Sequence, residues 1–215
     1  MAIARPGKIV CVGRNYREHA AELGNVVPER PLLFFKPATA VIGDGDTIVL
    51  PPESTRVEYE AEIALVIGRH IRRATEAQAL AALAGVTCLN DVTARDLQRR
   101  EEQWTRAKGF DTFCPLGPRV VPLEPVRLAE LEVRCRVNGS ERQRGYARDM
   151  VFGPAALVAF ISQAMTLEPG DVIATGTPAG VGPLVAGDVV EVEIPGVGVL
   201  RNPVSAEPSS STTAR

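Results

Sequence analysis

Short apolar or alternating segments recur along the chain, and most of them end at glycine, proline or asparagine. This pattern predicts β-strands separated by tight turns. Asn138-Gly139, at the end of one alternating segment, is typical of a β-hairpin turn. The predicted strands lie in segments 8–13 (KIVCVG), 47–52 (TIVLPP), 56–68 (RVEYEAEIALVIG), 131–139 (LEVRCRVNG), 171–182 (DVIATGTPAGVG) and 188–200 (DVVEVEIPGVGVL).

A few segments carry helical signals instead. Asn15 can cap a helix over residues 15–24 (NYREHAAELG), and Gly24 can end it. Thr75 and Gln78 have the spacing of a capping box, which opens the Ala- and Leu-rich segment 78–85. A further helix is predicted after the strand that ends near Asp91, and another over residues 153–165. The chain is therefore predicted to be mixed, mostly β, with a few helices.

The chain of 215 residues shows no internal repeat and no linker, which predicts a single domain over residues 1–204. The polar tail 205–215 is predicted to be disordered. Hydrophobic residues make up 45% of the chain and charged residues 23%, as in ordinary globular proteins.

Charge and cysteine content narrow the function classes. The net charge of −2 and the aromatic content of 5% argue against a nucleic-acid or membrane-surface partner. No apolar run has the length of a signal-peptide core or a membrane span. The four cysteines are far apart, without a C-x-x-C pair, so neither a zinc site nor a disulfide framework is expected. These features predict a reduced, cytoplasmic protein.

Three carboxylates precede the apolar half of segment 57–68 (VEYEAEIALVIG). Glu58, Glu60 and Glu62 occupy every second position, so a strand would direct all three to one face. Solvent, basic partners or a divalent cation could compensate their charge, and hard oxygen ligands suit Mg²⁺, Mn²⁺ or Ca²⁺. A solvated edge strand is the alternative. Asp91, where another apolar strand ends, is either a third ligand or a helix N-cap.

Two other motifs could carry chemistry. His19 and Glu22 are three residues apart, so on a helix they form either a general-base pair or a plain surface ion pair. Segment 176–182 (GTPAGVG) matches neither a dinucleotide-binding nor a P-loop motif. Its backbone amides and the Thr177 hydroxyl could bind an anion, or the segment could be a structural turn.

Taken together, the motifs resemble those of the fumarylacetoacetate hydrolase family, in particular its short, single-domain acylpyruvate hydrolase branch. The resemblance extends from about residue 8 to residue 204 and implies a mixed, β-rich α+β fold, a β-sandwich roll with a few helices, usually as a homodimer. The matching motifs, in the family's order, are VGRNYREHAAE, LLFFKPATA, YEAEIALVIG, NDVTARDLQ, RAKGFDTFCPLGP, VNGSERQ and TGTPAGVGP.

The resemblance assigns roles to individual positions. It implies that Mg²⁺ or Mn²⁺ is bound by Glu60, Glu62 and Asp91, while Glu58 is peripheral. His19 and Glu22 match the family's acid–base pair, and Lys108 matches a lysine beside the metal. Gln98 and Thr177 are implied to contact the substrate. Arg95 and Lys36 are implied to be partners of substrate or ligand carboxylates. Thr112 is implied to bind a further ion or to shape the pocket.

These roles imply metal-dependent hydrolysis of a C–C bond in acylpyruvates. A 2-oxo acid can chelate the metal through its carboxylate and its keto oxygen, and water activated by His19 and Glu22 would attack the distal carbonyl. Lys108 and the metal would stabilise the departing pyruvate enolate. The alternatives are oxaloacetate decarboxylation, isomerisation or decarboxylation of unsaturated dicarboxylic 2-oxo acids, and a non-catalytic ligand-binding role.

Overall fold

The computed structural model describes residues 5–122 and 125–208. Its helices are α1 (Arg17–Glu22), α2 (Glu76–Ala81), α3 (Arg95–Arg100), α4 (Thr105–Gly109) and α5 (Pro154–Ala164), with short 3₁₀ turns at Ala38–Ala40, Pro125–Glu130 and Ala147–Asp149. Its strands are β1 (Ile9–Gly13), β2 (Leu32–Lys36), β3 (Val41–Ile42), β4 (Ile48–Leu50), β5 (Val57–Tyr59), β6 (Ala61–Ile67), β7 (Leu83–Asn90), β8 (Thr93–Ala94), β9 (Cys114–Val121), β10 (Glu132–Val137), β11 (Ser140–Tyr146), β12 (Val172–Ala174), β13 (Gly182–Pro183), β14 (Val189–Ile194) and β15 (Gly198–Ala206).

The strands form three sheets. A seven-stranded sheet has the order β2-β1-β12-β6-β7-β9-β3, and a five-stranded sheet has the order β11-β10-β14-β15-β4. A small three-stranded sheet has the order β13-β5-β8. The predicted mixed, β-rich fold with few helices is thereby confirmed.

The seven-stranded sheet buries both of its faces. One face packs on the main core, where Ile63 and Leu65 of the large sheet meet Val133 and Val192 of the five-stranded sheet and Leu157 of α5. The other face encloses a second group, the inner cluster, which consists of Ile9, Cys11, Ala40, Ala64, Val66, Leu89, Cys114, Leu116, Val120, Val172 and Ala174. Because nearly all of these residues come from strands of one sheet, the sheet must curl around them to form a roll.

Several local predictions are confirmed. The hairpin turn between β10 and β11 lies at Asn138 and Gly139, both of which have positive φ angles of 52° and 77°. Thr75 and Gln78 form the predicted capping box at the start of α2. Helix α2 nevertheless ends at Ala81, and residues 83–85 of the predicted helical segment belong to β7. Pairing with β6 outweighs the local helix propensity of this segment.

Two other predictions are wrong. Asn15 does not cap α1, whose N-cap residue is Tyr16. The Asn15 side chain instead bonds to the backbone of Phe152 and Thr175.

Strand β15 continues to Ala206, so residues 205 and 206 of the predicted tail pair with β4. Although this segment is polar, its backbone can still form hydrogen bonds with β4. Residues 209–215 of that tail lie outside the described residues.

None of the helices in the two described ranges is long and apolar enough to cross a membrane. The four cysteines are buried and unpaired. Burial raises the pKa of the Cys88 thiol, and likewise that of Cys114, to about 12. Neutral, enclosed thiols of this kind are poor nucleophiles, so they contribute to packing rather than to covalent chemistry.

Candidate metal centre

Strand pairing brings the three predicted metal ligands together. Glu60 lies between β5 and β6, Glu62 lies in β6, and Asp91 directly follows β7. Strands β6 and β7 are antiparallel, and the Asp91 amide donates a hydrogen bond of 2.8 Å to the Glu60 carbonyl. Each of the three residues can offer a carboxylate oxygen such that these oxygens all lie within 4.8 Å of one another.

The alternating pattern explains why these carboxylates share one face. Ala61 and Ile63 of β6 belong to the main core, whereas Ala64 belongs to the inner cluster. Glu60 and Glu62 therefore lie on the inner face, at the end of the roll. Both side chains are buried, which excludes the alternative of a solvated edge strand.

The structure also decides the alternative reading of Asp91. Helix α3 begins at Arg95 and has Ala94 as its N-cap residue, so Asp91 is not a helix cap. Its side chain is buried beside Glu60 and Glu62.

Two buried lysines surround Asp91. The Lys108 ammonium lies 2.7 Å from Oε2 of Glu60 and 2.5 Å from Oδ2 of Asp91. The Lys36 ammonium lies 2.6 Å from Oδ1 of Asp91 and also donates to the Val92 carbonyl. Because both oxygens of Asp91 already contact cations, the side chain has a fixed orientation.

Arg95 of α3 joins two of the carboxylates of the β5–β6 region. Its Nε donates to Oε2 of Glu58 at 2.6 Å, and its guanidinium also bonds to Glu60 and Gln98. Arg56 contacts the other oxygen of Glu58 at 2.6 Å. Glu58 is not among the residues grouped as able to hold the metal, which agrees with the expectation that it has no ligand role. It is nevertheless buried and holds Arg95 against Glu60.

The charges act differently on the two glutamates. Burial alone would raise the pKa of Glu60, but Lys108 and Arg95 outweigh it and hold that pKa well below its usual range. Burial, followed by repulsion from Asp91 and Glu60, raises the pKa of Glu62 well above its usual range. Glu62 is thus the ligand whose negative charge the surrounding protein cations compensate least.

This arrangement fits a hard divalent cation. The donor set consists of buried carboxylate oxygens, the ligand type preferred by Mg²⁺ and Mn²⁺. A cation near Glu62 would relieve the repulsion that raises its pKa. The ligands available for the ion are therefore Glu60, Glu62 and Asp91.

The predicted acid–base pair lies at the same site. His19 and Glu22 both belong to α1, and Nδ1 of His19 lies 3.2 Å from Oε2 of Glu22. The Gly180 amide donates to Oε1 of Glu22 at 3.0 Å, and the Gly176 amide donates to Oε2 of Glu62 at 2.7 Å. The glycine-rich segment 176–182 therefore does bind anions, but these anions are carboxylates of the protein itself.

One cavity of about 290 Å³ connects these groups. Its walls include His19, the three carboxylates and Lys108. Its volume suits a small ligand, and the charged lining suits a polar one.

The predicted substrate-contact residues occupy different places. Gln98 and Thr177 line the cavity, although the Thr177 hydroxyl already donates to the Ala61 carbonyl. Lys36 is fully buried behind Asp91, so the structure favours its role as partner of a ligand carboxylate over direct substrate contact. The Thr112 hydroxyl accepts a hydrogen bond from a backbone amide of β4, and Thr112 is not among the cavity-lining residues.

Three further residues of the cavity wall were not predicted. Phe34 and Trp104 meet edge to face with ring centroids 5.3 Å apart, and the Lys108 ammonium lies 5.1 Å from the Phe34 centroid. Arg14 lies in the turn after β1 and also lines the cavity. The segment that contains Phe34 is simply apolar, and an arginine beside a glycine carries no distinctive sequence signal.

Comparisons with known proteins agree with the fold. Residues 8–205 match the family model of the fumarylacetoacetate (FAA) hydrolase C-terminal domain. An uncharacterised protein of Methanocaldococcus jannaschii is 52% identical over 204 residues, which cover 94% of this chain and 85% of that protein. The mitochondrial oxaloacetate tautomerase FAHD2A of Bos taurus is 45% identical, over 94% of this chain and 68% of its own.

Solved structures show the same likeness. The crystal structure of 5-carboxymethyl-2-hydroxymuconate delta-isomerase from Mycobacterium smegmatis matches with a TM-score of 0.87 and 46% identity. The match covers 95% of this chain and 81% of that protein. The resemblance to the fumarylacetoacetate hydrolase family is confirmed, and the chain belongs to this family of enzymes.

Proposed function

We propose that the chain is a divalent-metal-dependent enzyme that moves a proton between carbon 3 and the 2-oxo oxygen of small 2-oxo dicarboxylic acids of the oxaloacetate type. The observation that carries this proposal is that His19 and the three carboxylates line one cavity of about 290 Å³. A base and a site for a 2-oxo acid head are thus close enough to act on one small molecule. The names of the tautomerase and isomerase relatives point to the same class of reaction.

A cation held by Glu60, Glu62 and Asp91 would polarise the 2-oxo group and so make the hydrogens on carbon 3 more acidic. Nδ1 of His19 is engaged with Glu22, which leaves Nε2 as the ring nitrogen available to accept a proton from carbon 3.

Negative charge then develops on the 2-oxo oxygen. The Lys108 ammonium, which lies among the carboxylates, can stabilise that charge. Return of the proton from Nε2 of His19, to oxygen or to carbon, completes the transfer without loss of atoms. Glu22 keeps its orientation during this exchange because the Gly180 amide holds its carboxylate.

The same pair of residues supports a second candidate, hydrolysis of acylpyruvates. The specific observation is that Glu22 is anchored to the backbone beside His19, an arrangement that can orient the imidazole to activate water. In that reaction a hydroxyl adds to the distal carbonyl, and the C–C bond to the pyruvate unit breaks.

One assay separates these candidates. The protein is mixed with freshly dissolved enol-oxaloacetate, acetylpyruvate and fumarylpyruvate, with Mg²⁺ or with EDTA. Three quantities are then followed: the decrease of enol absorbance, the release of pyruvate and the release of CO₂. The proposal requires Mg²⁺-dependent loss of the enol, faster than with Mg²⁺ alone, that disappears with EDTA. Release of pyruvate and a second acid from acylpyruvates alone would favour the hydrolase, and CO₂ from oxaloacetate without faster tautomerisation would favour a decarboxylase.

The chain offers a matched control because it contains only two histidines. His19 is buried at the cavity, whereas His70 is exposed and does not line it. His19→Gln should abolish the Mg²⁺-dependent rate, and His70→Gln should retain it. Equal rates in the two variants would overturn the assignment of the base.

A further inference from the structure

We propose that Arg14 binds the distal carboxylate of the substrate and makes the site selective for dicarboxylic over monocarboxylic 2-oxo acids, an inference that rests on the proposed function. Arg14 follows β1 and lines the same cavity as His19 and the carboxylate cluster.

The backbone of Arg14 has a conformation that residues with side chains rarely adopt. Its φ angle is 58°, in the left-handed region where glycine is favoured. The residue at this position nevertheless carries a long, charged side chain. Strained residues of this kind cluster at sites where a side chain must be presented to a ligand.

Both neighbours of Arg14 hold this conformation in place. The fully buried Asn15 side chain makes three hydrogen bonds to the backbone, two to Phe152 and one to Thr175. On the other side, a Cβ atom added to Gly13 would lie only 2.9 Å from the ring of Trp104. The turn is therefore tightly packed, and Arg14 projects from a rigid base.

The guanidinium of Arg14 has no partner in the described part of the chain. Its Nε atom is buried and makes no hydrogen bond, and no ion pair with another described residue involves Arg14. Arg95, which lines the same cavity, instead bonds to Glu58, Glu60 and Gln98. A buried donor without an acceptor is costly, and a carboxylate is the group that an arginine fork binds best.

The charges of the cavity favour Arg14 as the partner of a second carboxylate. The 2-oxo acid head lies at the cation site, so a distal carboxylate must avoid Glu60, Glu62 and Asp91, which would repel it. Arg95 is already paired with Glu58 and Glu60. Lys108 lies at the cation site between Glu60 and Asp91, where the proposed function uses its charge at the 2-oxo oxygen. Arg99 also lines the cavity, but its side chain is exposed and therefore shares its charge with water.

The test is a binding measurement that does not depend on turnover. Oxamate and N-oxalylglycine share the same head, but only N-oxalylglycine carries a second carboxylate. Calorimetry on the Mg²⁺-loaded protein should give roughly tenfold or tighter binding of N-oxalylglycine for a charge-assisted contact of this type. Arg14→Gln should remove this preference and leave the affinity for oxamate unchanged.

Two further variants keep the test decisive. Arg14→Lys retains the positive charge but cannot donate two parallel hydrogen bonds to a carboxylate. It should recover part of the preference for N-oxalylglycine, which a misfolded site would not do. Arg17→Gln removes an exposed arginine three residues away on α1 and should behave like the original protein.

Three results would overturn the role of Arg14 alone: Arg14→Gln keeps the preference, Arg99→Gln abolishes it instead, or the original protein binds both ligands equally. If the Mg²⁺-loaded protein binds neither ligand, the proposed function fails, and the role of Arg14 fails with it.

Discussion

The Lys108 ammonium lies 2.7 Å from Oε2 of Glu60, between two of the three carboxylates that can hold a divalent cation. In this arrangement the Lys108 ammonium compensates the negative charge of Glu60 and Asp91, which a bound metal ion would otherwise compensate. An ammonium that contacts these oxygen atoms repels a divalent cation placed among them. Metal binding is therefore expected to weaken the contacts of Lys108 with Glu60 and Asp91.

The first prediction concerns this competition. Lys108→Met should bind Mn²⁺ more tightly than the original protein, by roughly tenfold or about 1.4 kcal/mol, because the positive ammonium that repels the metal ion is absent. The same variant should lose turnover because negative charge on the substrate is no longer stabilised. Calorimetric titration with Mn²⁺ measures the first effect and the oxaloacetate assay the second.

Lys8→Met provides the control for Lys108→Met. Lys8 is also paired with a buried aspartate, Asp171, but it does not line the cavity. Its replacement should leave Mn²⁺ affinity unchanged. Unchanged or weaker Mn²⁺ binding by Lys108→Met would contradict the competition.

The second prediction is that metal binding releases a proton. Burial and the charges of Asp91 and Glu60 raise the pKa of Glu62, so the metal-free site retains a proton to higher pH than an ordinary glutamate. Since a cation requires the carboxylate form, it displaces this proton, and its apparent affinity falls as the pH is lowered.

Calorimetry in two buffers of different ionisation enthalpy counts the released protons directly. The observed binding enthalpy should depend on the buffer for the original protein. The dependence should vanish for Glu62→Gln, which has no proton to release at this position. A buffer-independent enthalpy for the original protein would contradict the raised pKa of Glu62.

The third prediction tests the structural role of Glu58. Glu58→Gln removes the carboxylate that holds the buried Arg95, and breaking a buried ion pair from one side costs about 3 kcal/mol of unfolding free energy. Glu101→Gln breaks the more exposed pair with Arg106 and should cost at most about 1 kcal/mol. Urea unfolding with EDTA present compares the two, and an equal cost would contradict the role assigned to Glu58.

Part of this site could be predicted from local sequence. The alternation of Glu58, Glu60 and Glu62 predicts a shared face because strand geometry has a period of two. The spacing of His19 and Glu22 predicts a shared helix face in the same way. What these patterns cannot supply is the choice between a functional and a plain structural reading, which depended on the family resemblance and on burial in the fold.

Other parts depend on tertiary structure. Lys36 and Asp91 are 55 residues apart and meet only because their strands belong to one curled sheet. The positive φ angle of Arg14 lies in a turn packed around Asn15 and Gly13, which no local pattern shows. The helical segment predicted from the sequence is longer than α2 for the same reason, because residues 83–85 pair with β6 as part of β7.

The most direct test of the account is hydrogen exchange at carbon 3 of oxaloacetate in D₂O, followed by NMR with Mg²⁺ present. The original protein should accelerate exchange above the Mg²⁺ background, and EDTA should remove the acceleration. His19→Gln should lose the acceleration while it retains Mg²⁺ affinity by calorimetry, because His19 contacts no metal ligand by hydrogen bond in the structure. Undiminished exchange in His19→Gln, or exchange that persists in EDTA, would contradict the assignment of His19 and the carboxylate cluster as one catalytic site.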